Sequence, residues 1–280
     1  MKFTKMQGAG NDFLVINNIE EKIPQAQFAA LARRLCTRRM SIGADGMMIV
    51  DAPQNGGDYR MYFYNADGSL GEMCGNGARC IARYGYEKGL AGETQRVETT
   101  AGLVVGQRRD KRMYTVRLND ITKFAQDVTA KIDGKTVQCD YLELGDPGLP
   151  HAVVLLEGDC AMTLRELGRK LRANSAFPKG ANVNFCRVIG ENEVEELTYE
   201  RGVEDFTLAC GTGTGSVVAA LMRRGLVSGE NTKVHVPGGE LFITLNTDPQ
   251  TQEITDIYLT GPTNIVAEGE VCDEELHVLL

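Results

Sequence analysis

Short runs of alternating apolar and polar residues dominate this chain, and four stretches of longer period interrupt them. A period of two marks strands and a period near 3.6 marks helices. Phe3 to Asn17 reads as a strand, a Gly8-Ala9-Gly10-Asn11 turn, and a second strand at Phe13–Ile16. Gln25 to Arg39 spaces its apolar residues at i, i+3 and i+7 and predicts an amphipathic helix. Strands follow at Met47–Val50 and Tyr59–Tyr64, around a loop at Asp51–Asp58 that carries Pro and Gly. The polar loop Asn65–Met73 leads to Cys74, and Gly77 to Lys88 predicts a helix that stops at Gly89. Strands are expected at Arg96–Thr99, Leu103–Gln107 and Tyr114–Leu118.

The order then repeats. Ala152–Leu156 predicts a strand, Leu164–Arg172 a helix, and Asn182–Val188 and Glu195–Tyr199 two strands. A helix runs from Cys210 to Gly225, with strands at Lys233–Val236, Leu241–Asn246, Ile257–Thr260 and Ile265–Val271. Asp120 to Asp140 reads as a crossover between the halves. The last strand is expected to return and pair with the first half, because an exposed edge invites misassembly.

The repeat is also visible residue by residue. Cys74-Gly75-Asn76-Gly77 recurs 136 residues later as Cys210-Gly211-Thr212-Gly213. At the same offset Phe28, Leu31 and Leu35 fall on Leu164, Leu167 and Leu171, and Lys88-Gly89-Leu90 falls on Arg224-Gly225-Leu226. Tyr64-Asn65 answers Tyr199-Glu200 at an offset of 135. A series in one register argues duplication, with a period far too long for a solenoid. The reading is two homologous α/β halves, residues 1–119 with 265–280 and residues 120–264.

With 280 residues, 42% of them hydrophobic, the chain can fill two cores. A net charge of −8 argues against nucleic-acid or anionic-membrane partners. No stretch is long and apolar enough to span a bilayer, and no apolar segment follows the N-terminal Met1-Lys2-Phe3-Thr4-Lys5, so a cytoplasmic protein is expected. In a reducing compartment the eight cysteines should be thiols. None forms a C-x-x-C pair and the three histidines are far apart, so no metal site is expected.

A thiol at a helix N-terminus faces unpaired N–H groups and the positive end of the helix dipole, which lower its pKa. The glycines beside Cys74 and Cys210 let backbone approach a ligand, and the same N–H groups can hold a carboxylate. Two matched acid/base groups suit a reaction that removes a proton from one face of a carbon and returns one to the other. Cys36, Cys80, Cys139, Cys160, Cys186 and Cys272 read as structural, and Cys80 matches Ser216 at the offset. Neither a G-x-x-x-x-G-K-[ST] nor a G-x-G-x-x-G motif occurs, so nucleotide binding is not expected.

At these residues the chain resembles the diaminopimelate epimerases, within the cofactor-independent racemases that include proline racemase. The likeness covers Lys5 to Phe13, Gly43-Ala44-Asp45-Gly46, Asn65 to Ser69, Glu72 to Cys80, Tyr199 to Gly202, Ala209 to Gly213 and Pro237-Gly238-Gly239. Asn76 is epimerase-like, where proline racemases typically carry His. The resemblance implies an α/β (α+β) fold of two halves, each a curled mixed or antiparallel sheet around a central helix, with the active site in the cleft. It implies interconversion of LL- and meso-diaminopimelate, in lysine and peptidoglycan precursor biosynthesis, without pyridoxal phosphate or another cofactor. Cys74 and Cys210 become a thiolate/thiol pair. Gly75, Asn76, Gly211 and Thr212 bind the reacting carboxylate through their N–H groups. Asn65, Asn182 and Arg201 hold the distal carboxylate, Glu200 and Asn11 orient the ammonium groups, and His151 supports the site. Two positions depart from the family pattern: Leu149, where Asn is frequent, and Phe206, where an acid is usual. They keep open a related racemase acting on another amino acid such as histidine. An amino-acid-binding protein that does not react is a third reading. Homodimerisation is an expectation that the chain itself neither supports nor excludes.

Overall fold

The structure is a computed structural model describing residues 1–71, 74–156, 158 and 162–272. Glu72 and Met73 of the loop before Cys74, Cys160, and 273–280 of the expected first half lie outside the described residues. The chain divides into two compact units, Met1–Val116 with Gly261–Leu280, and Arg117–Thr260. Each seam is set by local bonds. Arg117 pairs with Asp256 at 2.7 Å and the Leu118 N–H donates to the Ile257 carbonyl at 2.8 Å, both inside the second unit. Thr263 donates its N–H to Arg112 and accepts from Arg83, both in the first.

The first unit runs β1 (Lys2–Gly8), β2 (Asn11–Asn17), the single turn α1 (Asn18–Glu21), α2 (Phe28–Cys36), β3 (Gly46–Asp51), β4 (Tyr59–Asn65), α3 (Gly75–Glu87), β5 (Thr94–Thr99), β6 (Gly102–Arg108) and β7 (Met113–Arg117). β2–β3 and β4–β5 pair in parallel; β1–β2, β3–β4, β5–β6 and β6–β7 pair antiparallel. β3 reads Gly-Met-Met-Ile-Val-Asp because it is covered on both faces. Met48 and Val50 pack with Cys80 and Ile81 of α3, while Met47 and Ile49 pack with Leu31 and Leu35 of α2. α3 is buried from Gly75 to Gly85, where glycines and alanines alternate with the larger Arg79, Ile81, Arg83 and Tyr84.

The second unit runs β8 (Ile121–Ile132), β9 (Lys135–Leu144), β10 (Leu149–Leu155), α4 (Leu164–Arg172), β11 (Asn182–Gly190), β12 (Glu193–Glu200), the two-residue β13 (Asp205–Phe206), α5 (Gly211–Arg223), β14 (Thr232–Val236), β15 (Gly239–Thr247) and β16 (Ile254–Pro262). Its pairing repeats that of the first unit: β9–β10, β11–β12, β14–β15 and β15–β16 antiparallel, β10–β11 and β12–β14 parallel. α5 is the buried helix here. The last strand, β17 (Asn264–Glu270), returns to pair antiparallel with β1, as β8 pairs with β9.

Two expectations need correction. Asp120–Asp140 is no crossover: β8 and β9 form a hairpin about Asp133-Gly134, both at positive φ. Register shifts near Lys123 and between Ala125 and Val128 break the alternation that would have revealed β8. The helix expected over Gln25–Arg39 is shorter, opening with a 3-10 turn at Gln25–Gln27 and ending at Cys36, where Thr37 turns extended. No described helix is long and apolar enough to cross a membrane.

Candidate active site

In the first unit Cys74 is the N-cap of α3, half-buried, with extended backbone (φ −102°, ψ 126°). The first turn of the helix supplies Gly75 and Asn76. The Asn76 amide donates to Asn11 Oδ1 at 2.5 Å, and its Oδ1 accepts from Arg79 at 2.8 Å. Asn11 opens β2 and donates to Asp45 at 3.2 Å. Behind it Asp12 pairs with Lys5 at 2.8 Å and Arg38 at 2.5 Å. Burial pushes the Asp12 carboxyl up, but those two cations hold it below its usual value. Asn65 ends β4, where its amide donates to Ser69 Oγ at 2.9 Å. Through the β2–β3 and β3–β4 registers, Phe13, Gly46 and Asn65 lie side by side, so Asn11 and Asn65 share one end of the sheet. Arg79 is fully buried, one turn into α3. Burial lowers its pKa to about 10, against the opposing pull of the Cys80 and Cys74 sulfurs.

In the second unit Cys210 is the N-cap of α5, half-buried and extended (φ −125°, ψ 106°). Its sulfur lies 3.6 Å from Thr212 Oγ1, and Thr212 lies 3.1 Å from His151 Nε2. His151, on β10, is fully buried, and desolvation takes its pKa down to about 3, so it is neutral. Asn182 sits beside it in register, and its Oδ1 accepts the Arg201 N–H at 2.8 Å. Arg201 also donates from its guanidinium to the Lys179 carbonyl at 2.9 Å. Glu200 ends β12 and acts on Cys210 through its charge. Cys210, Thr212, His151, Asn182, Glu200 and Arg201 therefore converge within one unit.

The expectation that a helix N-terminus lowers the thiol pKa is corrected at Cys210. Burial pushes this thiol up, the Glu200 carboxylate adds to the rise, and the bonds from Thr212 and the Gly213 N–H only partly offset it. The other buried cysteines are also held as thiols, with burial pushing Cys36, Cys80 and Cys139 up to about 12. No disulfide joins the described cysteines, and no group of three His, Cys, Asp or Glu among the described residues could hold a metal.

The profile of the diaminopimelate epimerase family matches residues 3–120 and 145–266 of this chain. The chain belongs to the diaminopimelate epimerase family. The diaminopimelate epimerase of Aquifex aeolicus is 35% identical over 285 residues, covering 99% of both chains. That of Archaeoglobus fulgidus is 38% identical over 276 residues, covering 95% of both. Among solved structures, a probable proline racemase from Agrobacterium radiobacter superposes with a TM-score of 0.68 at 17% identity, covering 99% of this chain and 94% of its own. A hydroxyproline epimerase from Agrobacterium vitis gives 0.66 at 20% identity, covering 97% and 90%. These two show the fold. The segment that the family profile passes over, 121–144, is the β8–β9 hairpin.

Within this diaminopimelate epimerase family member, Phe206 packs edge-on to Tyr199 at 5.9 Å and lies near Phe185, with the Arg165 guanidinium 5.7 Å over its ring. It is partly buried and packs against the core of the second unit. Sequence reasoning missed Asn184, Thr198, Glu196 and Thr214, all buried around the start of α5. Aligning the strands at the repeat offset would have found them, since Met48, Met61, Phe63 and Ala78 at the matched positions pack inward or nearly so.

Proposed function

We propose that the protein interconverts LL- and meso-diaminopimelate by two-base proton transfer without a cofactor. The observation that carries this reading is the matched placement of Cys74 and Cys210 as N-caps of the two buried helices, in a chain that the family profile matches across both units. Cys210, raised by burial and by Glu200, enters the cycle as a thiol and gives its proton to the α-carbon. Two-base transfer then requires Cys74 as the thiolate that removes the proton from the other face. For the reverse reaction the roles exchange.

The N–H groups of Gly75, Asn76, Gly211 and Thr212 stand in the first helical turns and suit the reacting carboxylate, whose charge the helix dipoles favour. Asn65, Asn182 and Arg201 take the distal carboxylate, with Arg201 able to bind it bidentately. Glu200 and Asn11 orient the ammonium groups, and His151 supports Thr212. The substrate is a small amino acid, and the absence of disulfides among the described cysteines supports a reducing, cytoplasmic setting. Assembly as a homodimer belongs to the same reading. Chiral chromatography of LL-diaminopimelate incubated with the reduced protein tests it. The meso form should accumulate with the wild type and not with Cys74→Ser or Cys210→Ser. A wild type inert on diaminopimelate but active on another amino acid would favour the related racemase instead.

A further inference from the structure

Buried acids elsewhere in the second unit have cations: Asp140 pairs with Arg224 at 2.6 Å, and Glu143 with Lys179 at 2.7 Å. Glu196 differs. It is 3% exposed and accepts from two hydroxyls, Thr214 Oγ1 at 2.7 Å and Thr198 Oγ1 at 3.1 Å. Both contacts lead to Cys210. Thr214 also reaches the Cys210 carbonyl at 3.0 Å. Thr198 also reaches Asn184 Oδ1 at 3.0 Å, the Asn184 amide faces His151 Nδ1 at 3.3 Å, and His151 continues through Thr212 to the Cys210 sulfur. The ring closes on one residue. Gly213 makes room for it, since a Cβ there would collide with Asn184 Oδ1.

Each hydroxyl has one proton, so the ring has a direction. When Glu196 carries a proton, its O–H donates to Thr198 and frees the Thr198 proton for Asn184 Oδ1. The Asn184 amide then donates to His151 Nδ1, which puts the single imidazole proton on Nε2. That N–H donates to Thr212, and the Thr212 hydroxyl is left to donate to sulfur, which favours thiolate. When Glu196 is ionised, both threonine protons turn to the carboxylate and the donor to Asn184 is withdrawn. The Asn184 amide can then turn over, its NH2 donating to Thr198 and its Oδ1 accepting from His151 Nδ1–H, so that Nε2 accepts the Thr212 proton and the thiol donates to Thr212. No proton travels the length of the ring, because the amide link only reorients.

Building on the reading of Cys210 as an acid/base group, we propose that Glu196 is a positioning residue that sets the protonation of Cys210, so that the ring accommodates one negative charge, on Glu196 or on the sulfur but not on both. Burial raises the Glu196 carboxyl to about 7, against its two hydroxyl partners, which places the exchange in the working pH range. The charge of Glu196 in turn adds to the rise at Cys210. Among the described residues, Cys186 stands opposite Glu196 on β11, neutral His151 on β10 is linked to it through Asn184 and Thr198, and Arg187, Glu195 and His235 line the same cavity as Glu196. Asp140 and Arg224 act on Cys186. His235 and Lys233 of β14 pair with Glu193, three residues along β12 and so on its opposite face.

The test is the pH dependence of iodoacetamide alkylation at Cys210, read peptide by peptide with mass spectrometry on the full chain. Glu196→Gln keeps the shape and removes the charge. Cys210 should alkylate about tenfold faster at pH 7.5, the effect of one pKa unit, while Cys74 on the same molecule is unchanged. Should Glu196→Gln fail to fold, the double variant Glu196→Met with Thr214→Ala, which copies the Met61 and Ala78 of the first unit, should give the same shift. Superimposable Cys210 profiles in a folded variant, or equal shifts at both cysteines, would overturn the proposal. Alkylation requires no turnover, so an inactive protein would count against the epimerase reading without touching this one.

Discussion

Around the start of α3 stand Phe13, Met48, Phe63, Met61 and Ala78; around the start of α5, at matching registers, stand His151, Asn184, Thr198, Glu196 and Thr214. The strand pairs correspond one for one: Met48 opposite Phe63 as Asn184 is opposite Thr198, and Val50 opposite Met61 as Cys186 is opposite Glu196. One backbone thus supports an apolar floor in the first unit and a hydrogen-bonded polar floor in the second. The buried charges also differ in sign, with the Arg79 cation near Cys74 and the Glu196 carboxylate near Cys210. Either floor is stable when complete, because a buried polar group is costly chiefly when a partner is missing. Duplication supplied two thiols in equal places, and the floors gave them unequal surroundings.

The largest effect should come from the thiols themselves. Cys74→Ser and Cys210→Ser should each lower kcat by about 10²–10⁴-fold, the usual value of a positioned acid or base. Comparable losses would keep the two halves equal partners; a loss at one cysteine alone would break the comparison.

Stability against pH should separate the floors next. The folded-state pKa of Glu196, about 7, lies above its ordinary 4.5. The native state therefore binds the extra proton, and stability is lost as pH rises from 4.5 towards 7. Glu196→Gln lacks that loss, so its urea-unfolding free energy should gain on the wild type by up to about 3 kcal/mol between pH 4.5 and 8. A constant difference across that range would show that Glu196 does not titrate as described. Protonation of His151 at acid pH is common to both proteins and cancels.

Mixing the floors should cost less but in both directions. Asn184→Met puts the first unit's residue into the second and strands His151 Nδ1 and Thr198; Met48→Asn buries an amide among Phe13, Met61 and Cys80. Each should lower the unfolding free energy by about 1–3 kcal/mol. A neutral Met48→Asn would mean that the first floor is wet and the contrast overstated.

Much of this was legible in the chain. The offset of 136 located both cysteines and both helices, because helix starts with Cys-Gly-X-Gly are conspicuous. The β8–β9 hairpin was hidden by its bulges, although Asp133-Gly134 is a strong turn signal. The polar floor was hidden by an ambiguous alternation. In Val194-Glu195-Glu196-Leu197-Thr198 the apolar Val194 and Leu197 fall on opposite faces, so an apolar-in rule does not decide the side of Glu196; Val194, Glu196 and Thr198 are buried and Leu197 is only partly so. The rise of the Cys210 pKa was equally unreadable, since it depends on three-dimensional burial and on Glu200 rather than on the helix start.

Hydrogen exchange at the α-carbon tests the central claim most directly. Reduced protein is incubated with LL-diaminopimelate in D2O, and early time points are read by NMR. Two distinct thiols, one removing and one donating, predict deuterium at the α-carbon of the meso product and none in the recovered LL form. Meso product that retains protium, or folded and reduced protein that exchanges nothing, would contradict the account.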